Sequence, residues 1–290
     1  MKKMEEEKLK REKIRALIGI TRPVNWLMAG IGVIAGCLAG VGLNPVFILP
    51  ISLAFLSTVF VTAGGNSLND YFDRNIDIIA HGKRSLASGK LHPEIALYFA
   101  ITSFIIGVIL TAFINWECLG IVLFNFLIII AYEIFLKKRG FVGNLAIGYL
   151  VGSTFWFGGA AVGEIFLNKI IFMAVLASLV NTGREILKDV IDISGDRGVR
   201  KTLPMRIGEK KSLIISASFI SLAIILSFLT WFWRILGENE YTYVILGIAN
   251  ALFITSIFSM SRSYTLDRSS TLLKIGMIIA LIPFILGGVL

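Results

Sequence analysis

Nine long apolar segments constrain this 290-residue chain more than any other feature of its sequence. Each holds about 20 residues or more, the length at which an α-helix crosses the ~30 Å hydrocarbon core of a bilayer. The sequence therefore predicts an all-α, polytopic membrane protein with nine transmembrane helices. The segments lie at residues 24–43, 45–69, 93–114, 117–136, 141–163, 169–188, 212–236, 242–261 and 272–290.

The composition supports this interpretation and excludes other classes of protein. Hydrophobic residues make up 56% of the chain and charged residues only 16%, whereas a soluble domain has about 25% charged residues. The net charge of +9 comes from basic residues in short loops between apolar segments, so we expect no nucleic-acid partner. No protein partner is evident. With only His81 and His92, a histidine-rich metal site is excluded, and Cys37 and Cys118 are expected to be small buried side chains.

The distribution of lysine and arginine predicts an orientation in the cell membrane. The N-terminus and every second loop together hold all of the 28 Lys and Arg residues except Lys169 and Arg234. Loops rich in Lys and Arg remain in the cytoplasm. We therefore expect a cytoplasmic N-terminus and an external C-terminus. Residues 1–22 are predicted to be a charged cytoplasmic segment, and residues 23–290 a single transmembrane domain.

An acidic stretch, NSLNDYFDRNID, follows the second apolar segment at residues 66–77. Asn66, Asp70, Asp73 and Asp77 stand at i, i+4, i+7 and i+11, so they share one face of a helix. Two carboxylates ~5 Å apart repel by roughly 3 kcal/mol at an effective dielectric constant near 20. This face therefore predicts a bound cation.

The same acidic spacing recurs later in the chain. The second set consists of Asp189, Asp192 and Asp196. Glu185 extends it one turn back, as Asn66 extends the first set, and a basic loop follows each set. Residues 66–77 and 185–196 therefore mark two pseudo-repeats. We expect a pseudo-symmetric bundle with a catalytic cap on the cytoplasmic side.

Six carboxylates in two repeated motifs suit the chemistry of diphosphates. Mg²⁺ binds carboxylate oxygens together with phosphate and water, and two such ions would neutralise the charge that develops on a departing diphosphate. An apolar helix bundle would accept a long hydrocarbon tail. The sequence therefore predicts an enzyme that transfers a prenyl chain from a prenyl diphosphate to a lipid-like acceptor. Its predicted catalytic and metal-binding residues are Asp70, Asp73, Asp77, Asp189, Asp192 and Asp196.

These motifs also carry a family resemblance. NDYFDRNID at 69–77 and DVIDISGD at 189–196, on a chain with nine apolar segments, resemble the two aspartate-rich motifs of the UbiA family of intramembrane prenyltransferases. RPVN at 22–25 and REILKD at 184–189 add to the likeness. Within the family, the chain most resembles the archaeal enzymes that make membrane diether lipids. That resemblance implies geranylgeranyl diphosphate as donor and 3-O-geranylgeranylglyceryl phosphate as acceptor, in phospholipid biosynthesis.

The resemblance implies a set of substrate-binding residues beside the metal ligands. Most are basic and would contact phosphate, while Tyr132 belongs either to the substrate site or to an interfacial aromatic belt. The set comprises Arg22, Asn25, Asn66, Asn69, Lys83, Arg84, Tyr132, Lys137, Lys138, Lys188, Arg200 and Lys201.

Three alternatives stay open on the sequence. An aromatic acceptor, such as a quinone precursor or a porphyrin, would use the same donor chemistry. A membrane phosphatidyl-alcohol transferase would have one motif of the form D-x2-D-G-x2-A-R, whereas this chain has Arg74 after Asp73 and a second motif. A divalent-cation transporter would place its charges near the middle of the membrane, whereas these carboxylates follow the ends of apolar segments.

Overall fold

The computed structural model describes residues 2–80, 86, 91–193, 201–261 and 265–289, without the side chains of residues 2–6, 8, 9, 75–80 and 288. In this part of the chain every regular element is helical. The α-helices are α1 (Lys2–Thr21), α2 (Pro23–Val41), α3 (Ile48–Ala80), α4 (Pro93–Ala112), α5 (Trp116–Ile134), α6 (Phe141–Ala161), α7 (Asn168–Ile191), α8 (Leu203–Ile207), α9 (Glu209–Phe232), α10 (Glu240–Ser259) and α11 (Leu266–Val289). Short 3₁₀ turns lie at Pro45–Phe47 and Leu136–Arg139.

Nine helices within the described residues are long and apolar enough to cross a membrane, namely α2 to α7 and α9 to α11. This confirms the predicted all-α polytopic fold. Pro23 and Pro93 each begin a spanning helix, because proline lacks the N–H that the first turn of a helix leaves unpaired. Gly208 precedes α9 with φ at 90°, a conformation that glycine adopts without a steric penalty.

Both acidic motifs stand where a spanning helix is about to end, but the two helices end differently. α3 continues past the apolar segment to Ala80, so the first motif lies on one continuous helix as its spacing predicts. α7 ends at Ile191, and Asp192 is its C-cap residue. The second motif therefore has Asp189 within α7 and Asp192 at the end of that helix, while Asp196 lies outside the described residues.

The packing divides the chain into two compact units. The first comprises residues 1–31 and 53–129, and the second comprises residues 32–52 and 130–290. Each unit contains one of the two acidic motifs.

Among the described residues of the first unit, two buried clusters join its helices. Leu68, Ala100 and Phe104 join α3 to α4, with Phe126 and Ile129 of α5 packed against them. The second cluster brings the end of α1 into the unit. Its buried members are Ala16, Ile20, Leu86, Leu91 and Ala96.

The second unit has a larger core, built by α2, α6, α7, α9, α10 and α11. Phe155 of α6, Ile170 of α7 and Ile220 of α9 are among its buried members. At about 25 cal/mol per Å² of apolar surface, burying such side chains is the main stabilising contribution. This core fixes α7, which carries the second acidic motif.

Candidate active site

The first acidic motif lies on α3, where buried carboxylates meet a cation. Asp70 is 5% exposed and Asp73 only 1%. Burying a carboxylate is costly unless it is paired. Arg22 supplies a positive charge, since its Nη2 donates to Asp70 Oδ1 at 2.5 Å and to Asn69 Oδ1 at 2.9 Å. The first carboxylate of the motif is therefore neutralised by the chain itself.

The connection between α1 and α2 holds Arg22 in place. Its φ of 51° is left-handed, a conformation that costs on the order of 1–3 kcal/mol for a residue other than glycine. Asn66 secures the connection, because its Nδ2 donates to the Thr21 carbonyl oxygen at 2.9 Å. Asn25 Nδ2 in turn donates to Asn66 Oδ1 at 3.4 Å. Three of the predicted site residues thus form one network around the start of α2.

The second acidic motif lies at the end of α7. Asp189 is half-buried, and its Oδ2 accepts a hydrogen bond from Asn144 Nδ2 of α6 at 2.9 Å. Asp192 is exposed at the helix end. One carboxylate is therefore oriented by a neighbouring helix, while the next is open to an incoming ligand.

Lys137 is buried and paired, which its position among basic residues did not predict. Its Nζ lies 2.5 Å from Glu133 Oε2, and both side chains are at most 5% exposed. The same Nζ lies 6.0 Å from the centre of the Tyr132 ring. Sequence reasoning missed Glu133, although an acidic residue four positions before a lysine is a recognisable helical pair.

Two of the predicted basic residues are exposed and lie on segments that Arg206 joins. Arg206 Nε donates to the Lys201 carbonyl oxygen at 3.2 Å, and its Nη2 donates to that of Lys138 at 3.1 Å. Lys138 and Lys201 side chains are exposed. Lys188 instead donates to Glu185, with Nζ 3.2 Å from Oε2. All three lysines belong to the unit that carries the second motif.

Part of the predicted site lies outside the described residues. This applies to Lys83, Arg84, Asp196 and Arg200, and to the side chain of Asp77. Among the side chains that are described, no three from His, Cys, Asp and Glu gather as metal ligands. Each unit does offer a pair of motif carboxylates, and Mg²⁺ commonly takes one or two carboxylates together with phosphate and water. The donor set therefore fits Mg²⁺ in chemistry.

Comparison with known proteins decides the family. The model of the UbiA prenyltransferase family matches residues 28–282, which is most of the chain. The chain belongs to the UbiA prenyltransferase family. This confirms the predicted enzyme class, a membrane-embedded prenyltransferase, and the resemblance carried by the two motifs.

Relatives within the UbiA family match along almost the whole length. The digeranylgeranylglyceryl phosphate synthase of Methanothrix thermoacetophila is 36% identical over 272 residues, covering 93% of this chain and 98% of that protein. A solved structure of a digeranylgeranylglyceryl phosphate synthase has a TM-score of 0.79 and 34% identity, covering 96% of this chain and 99% of that chain. A UbiA homolog from Archaeoglobus fulgidus bound to DMAPP and Mg²⁺ has a TM-score of 0.72 at 18% identity, with 92% and 98% covered. These matches confirm the UbiA fold.

Proposed function

We propose that this UbiA-family enzyme is a digeranylgeranylglyceryl phosphate synthase. It transfers a geranylgeranyl group from geranylgeranyl diphosphate to 3-O-geranylgeranylglyceryl phosphate. The observation that carries the proposal is the chain-long identity to the synthase of Methanothrix thermoacetophila. The product is the diether phosphate from which archaeal membrane lipids are built.

The reaction exchanges one C–O bond for another. The allylic C–O bond of the donor breaks, and both of its electrons leave with the diphosphate. The free glycerol hydroxyl of the acceptor attacks the allylic carbon, forms the ether bond and releases its proton. The apolar helices hold the hydrocarbon chains and exclude water, which protects the allylic cation from hydrolysis.

We assign the donor's diphosphate to Mg²⁺ held by the aspartates of the two motifs, with two ions as the expected number. The described ligands are Asp70, Asp73, Asp189 and Asp192, and Asp77 and Asp196 complete the set. Bound Mg²⁺ would neutralise the charge on the leaving diphosphate. The DMAPP and Mg²⁺ bound by the Archaeoglobus fulgidus homolog support this assignment.

Two cations of the chain complete the donor site in this proposal. Lys137 presents an ammonium group that Glu133 holds in a fixed position, and it donates to the diphosphate as charge develops there. Arg22 forms a salt bridge with Asp70. When Mg²⁺ binds Asp70, the guanidinium group of Arg22 would donate its hydrogen bonds to the diphosphate instead. The basic loops after the two motifs supply further phosphate contacts through Lys83, Arg84, Arg200 and Lys201.

A product assay tests the acceptor. Purified protein with MgCl₂ and geranylgeranyl diphosphate would be offered geranylgeranylglyceryl phosphate and, in parallel, hydroxybenzoate, a dihydroxynaphthoate and a porphyrin. Mass spectrometry should find the digeranylgeranyl ether from the glyceryl phosphate alone. Exclusive prenylation of an aromatic acceptor would overturn the acceptor assignment while leaving the reaction type intact.

Replacing the aspartates tests the metal site. Asp73→Asn and Asp192→Asn should each lower the turnover rate by about 100-fold or more. Each variant removes a negatively charged carboxylate that we assign to Mg²⁺. Asp267→Asn is the matched control, since it makes the same chemical change at an exposed position on α11. Near-normal turnover of either motif variant at saturating Mg²⁺ would refute the assignment.

A further inference from the structure

A row of polar residues runs along α7 towards the second acidic motif. Asn181, Arg184, Glu185 and Lys188 fall within an arc of about 100° when they are placed on a helix at 100° per residue. The row leads to Asp192 at the helix end. It begins about two turns before Asp189, and nothing in the reaction described so far uses its first two members.

This row occupies a side of α7 that is separate from two packed sides. One packed side meets α9, where Ser216 Oγ donates to the Gly183 carbonyl oxygen at 2.6 Å. Another meets α6, where Asn144 donates to Asp189 and where a Cβ added at Gly148 would lie 2.0 Å from Thr182 Oγ1. Helix packing on those sides therefore does not account for the polar row.

Exposure falls steadily along the row. Asp192 is exposed. The side chains of Lys188, Glu185 and Arg184 are 41%, 20% and 15% exposed, and Asn181 as a residue is only 4% exposed. Exposure therefore decreases from the motif towards Asn181, and we refer to Asn181, Arg184, Glu185 and Lys188 together as the polar recess.

Two hydrogen-bond donors in the recess have no acceptor within the part of the chain that the structure describes. Asn181 Nδ2 and Arg184 Nε are both buried, and neither finds a partner among the described residues. A buried donor without an acceptor loses its bond to water and gains nothing in return, so most proteins avoid it. Two such donors one turn apart on the same side of a helix form a site for an acceptor ligand.

The charges of the recess favour an anion. Among the four residues of the recess, Glu185 is the carboxylate, and it is shared by two cations, with Arg184 Nη1 at 3.0 Å and Lys188 Nζ at 3.2 Å. One positive charge therefore remains uncompensated among these three groups. Without phosphate, Arg184 and Lys188 donate to Glu185. A bound phosphate group would accept those hydrogen bonds instead. It would also accept from Asn181 Nδ2 and Arg184 Nε.

We propose that this recess binds the phosphate group of the acceptor lipid. The inference rests on the proposed function and adds the residues that select the acceptor. Arg184 precedes Asp189 by five residues, which is ~7.5 Å along a helix. In the acceptor, the hydroxyl that attacks and the phosphate ester sit on adjacent glycerol carbons, so the phosphate must lie near the donor's diphosphate. A neutral aromatic acceptor would leave Asn181 and Arg184 Nε without acceptors.

The test compares KM values for the two substrates in Arg184→Gln, Arg184→Lys and Asn181→Leu. Arg184→Gln should raise the KM for geranylgeranylglyceryl phosphate about tenfold or more, because it removes a charge-assisted contact to phosphate. The KM for geranylgeranyl diphosphate should stay unchanged. Arg184→Lys should recover part of the loss, since it restores the charge without the Nε–H. Lys210→Gln is the control, because it removes one positive charge from an exposed position in the same unit.

The Asn181→Leu variant distinguishes a role of Asn181 in binding phosphate from a role in stabilising the fold. It should raise the acceptor KM several-fold, while the melting temperature in detergent stays the same or rises, since the change removes an unpaired buried donor at nearly constant size. The dephosphorylated acceptor, geranylgeranylglycerol, should react equally slowly with wild type and all variants.

The outcomes distinguish the two proposals. If the wild-type enzyme does not use geranylgeranylglyceryl phosphate, the proposed function fails. If it does, but Arg184→Gln and Asn181→Leu keep the wild-type acceptor KM, the recess does not bind this phosphate. An equal rise in the donor KM would overturn the inference as well, because it would assign the recess to the diphosphate.

Discussion

Four charged side chains among the described residues are more than nine-tenths buried: Asp70, Asp73, Glu133 and Lys137. Charges near a bilayer are costly and persist where they serve a function. Asp70 is paired with Arg22, and Glu133 is paired with Lys137. In each pair, a residue that we assign to the diphosphate site is held by a partner from the same unit.

Removing one member of the Glu133–Lys137 pair should damage the fold as well as the activity. Lys137→Met leaves the Glu133 carboxylate buried without its cation, which typically costs about 3–5 kcal/mol. The double variant Glu133→Leu with Lys137→Met removes both charges, and it should recover most of the melting temperature in detergent. Its turnover should remain low, because the ammonium group that contacts the diphosphate is still missing.

Measuring melting temperature and turnover on the same preparations separates the two roles of Lys137. Recovery of both stability and turnover in the double variant would show that Lys137 serves only to neutralise Glu133. That result would remove it from the donor site.

At the scale of elements, the close approach of α6 and α7 decides where the second motif lies. Gly148 and Gly152 stand one turn apart on α6 and face α7. A Cβ added at Gly152 would lie 2.0 Å from Ser178 Oγ and 2.3 Å from the Ala174 carbonyl oxygen. Small residues at this spacing allow membrane helices to pack tightly. The contact aligns Asn144 with Asp189.

Gly152→Ala should therefore push α7 away from α6. We expect a loss of about 1–3 kcal/mol of stability, as for other overpacked cores, and reduced turnover because Asp189 moves relative to Asn144. Gly247→Ala is the matched control, since that helical glycine of α10 has nothing within 4 Å of an added Cβ. Gly247→Ala should leave the melting temperature in detergent unchanged or slightly higher. Equal melting temperatures for both variants would contradict the role given to this contact.

At the scale of the whole molecule, the distribution of lysine and arginine predicts the orientation in the membrane. Labelling of single cysteines would test it in a background where the buried Cys37 and Cys118 are replaced by alanine. Lys210→Cys and Glu238→Cys both place a thiol at an exposed position. A membrane-impermeant maleimide should label the variant at 238 in intact cells, and the variant at 210 only after permeabilisation. The reverse pattern would place the acidic motifs outside the cell.

The sequence by itself determined the features that depend on local order. The nine spans follow from the length and hydropathy of uninterrupted segments, and α3 is helical through its motif because the acidic residues follow the helical period. The repeated motif was enough to predict the family, which the match over residues 28–282 confirms. Predicting these properties requires no knowledge of which helices pack against one another.

Only the tertiary structure decided which distant polar side chains pair and which charges are buried. Arg22 and Asp70 are 48 residues apart, and Asn144 and Asp189 are 45 apart, so no local periodicity connects them. Burial likewise depends on packing: it turned Lys137 from one of three consecutive basic residues into half of a buried pair. The donors of Asn181 and Arg184, which find no acceptor among the described residues, likewise depend on the fold. Whether a polar atom forms a hydrogen bond depends on the side chains that folding brings beside it.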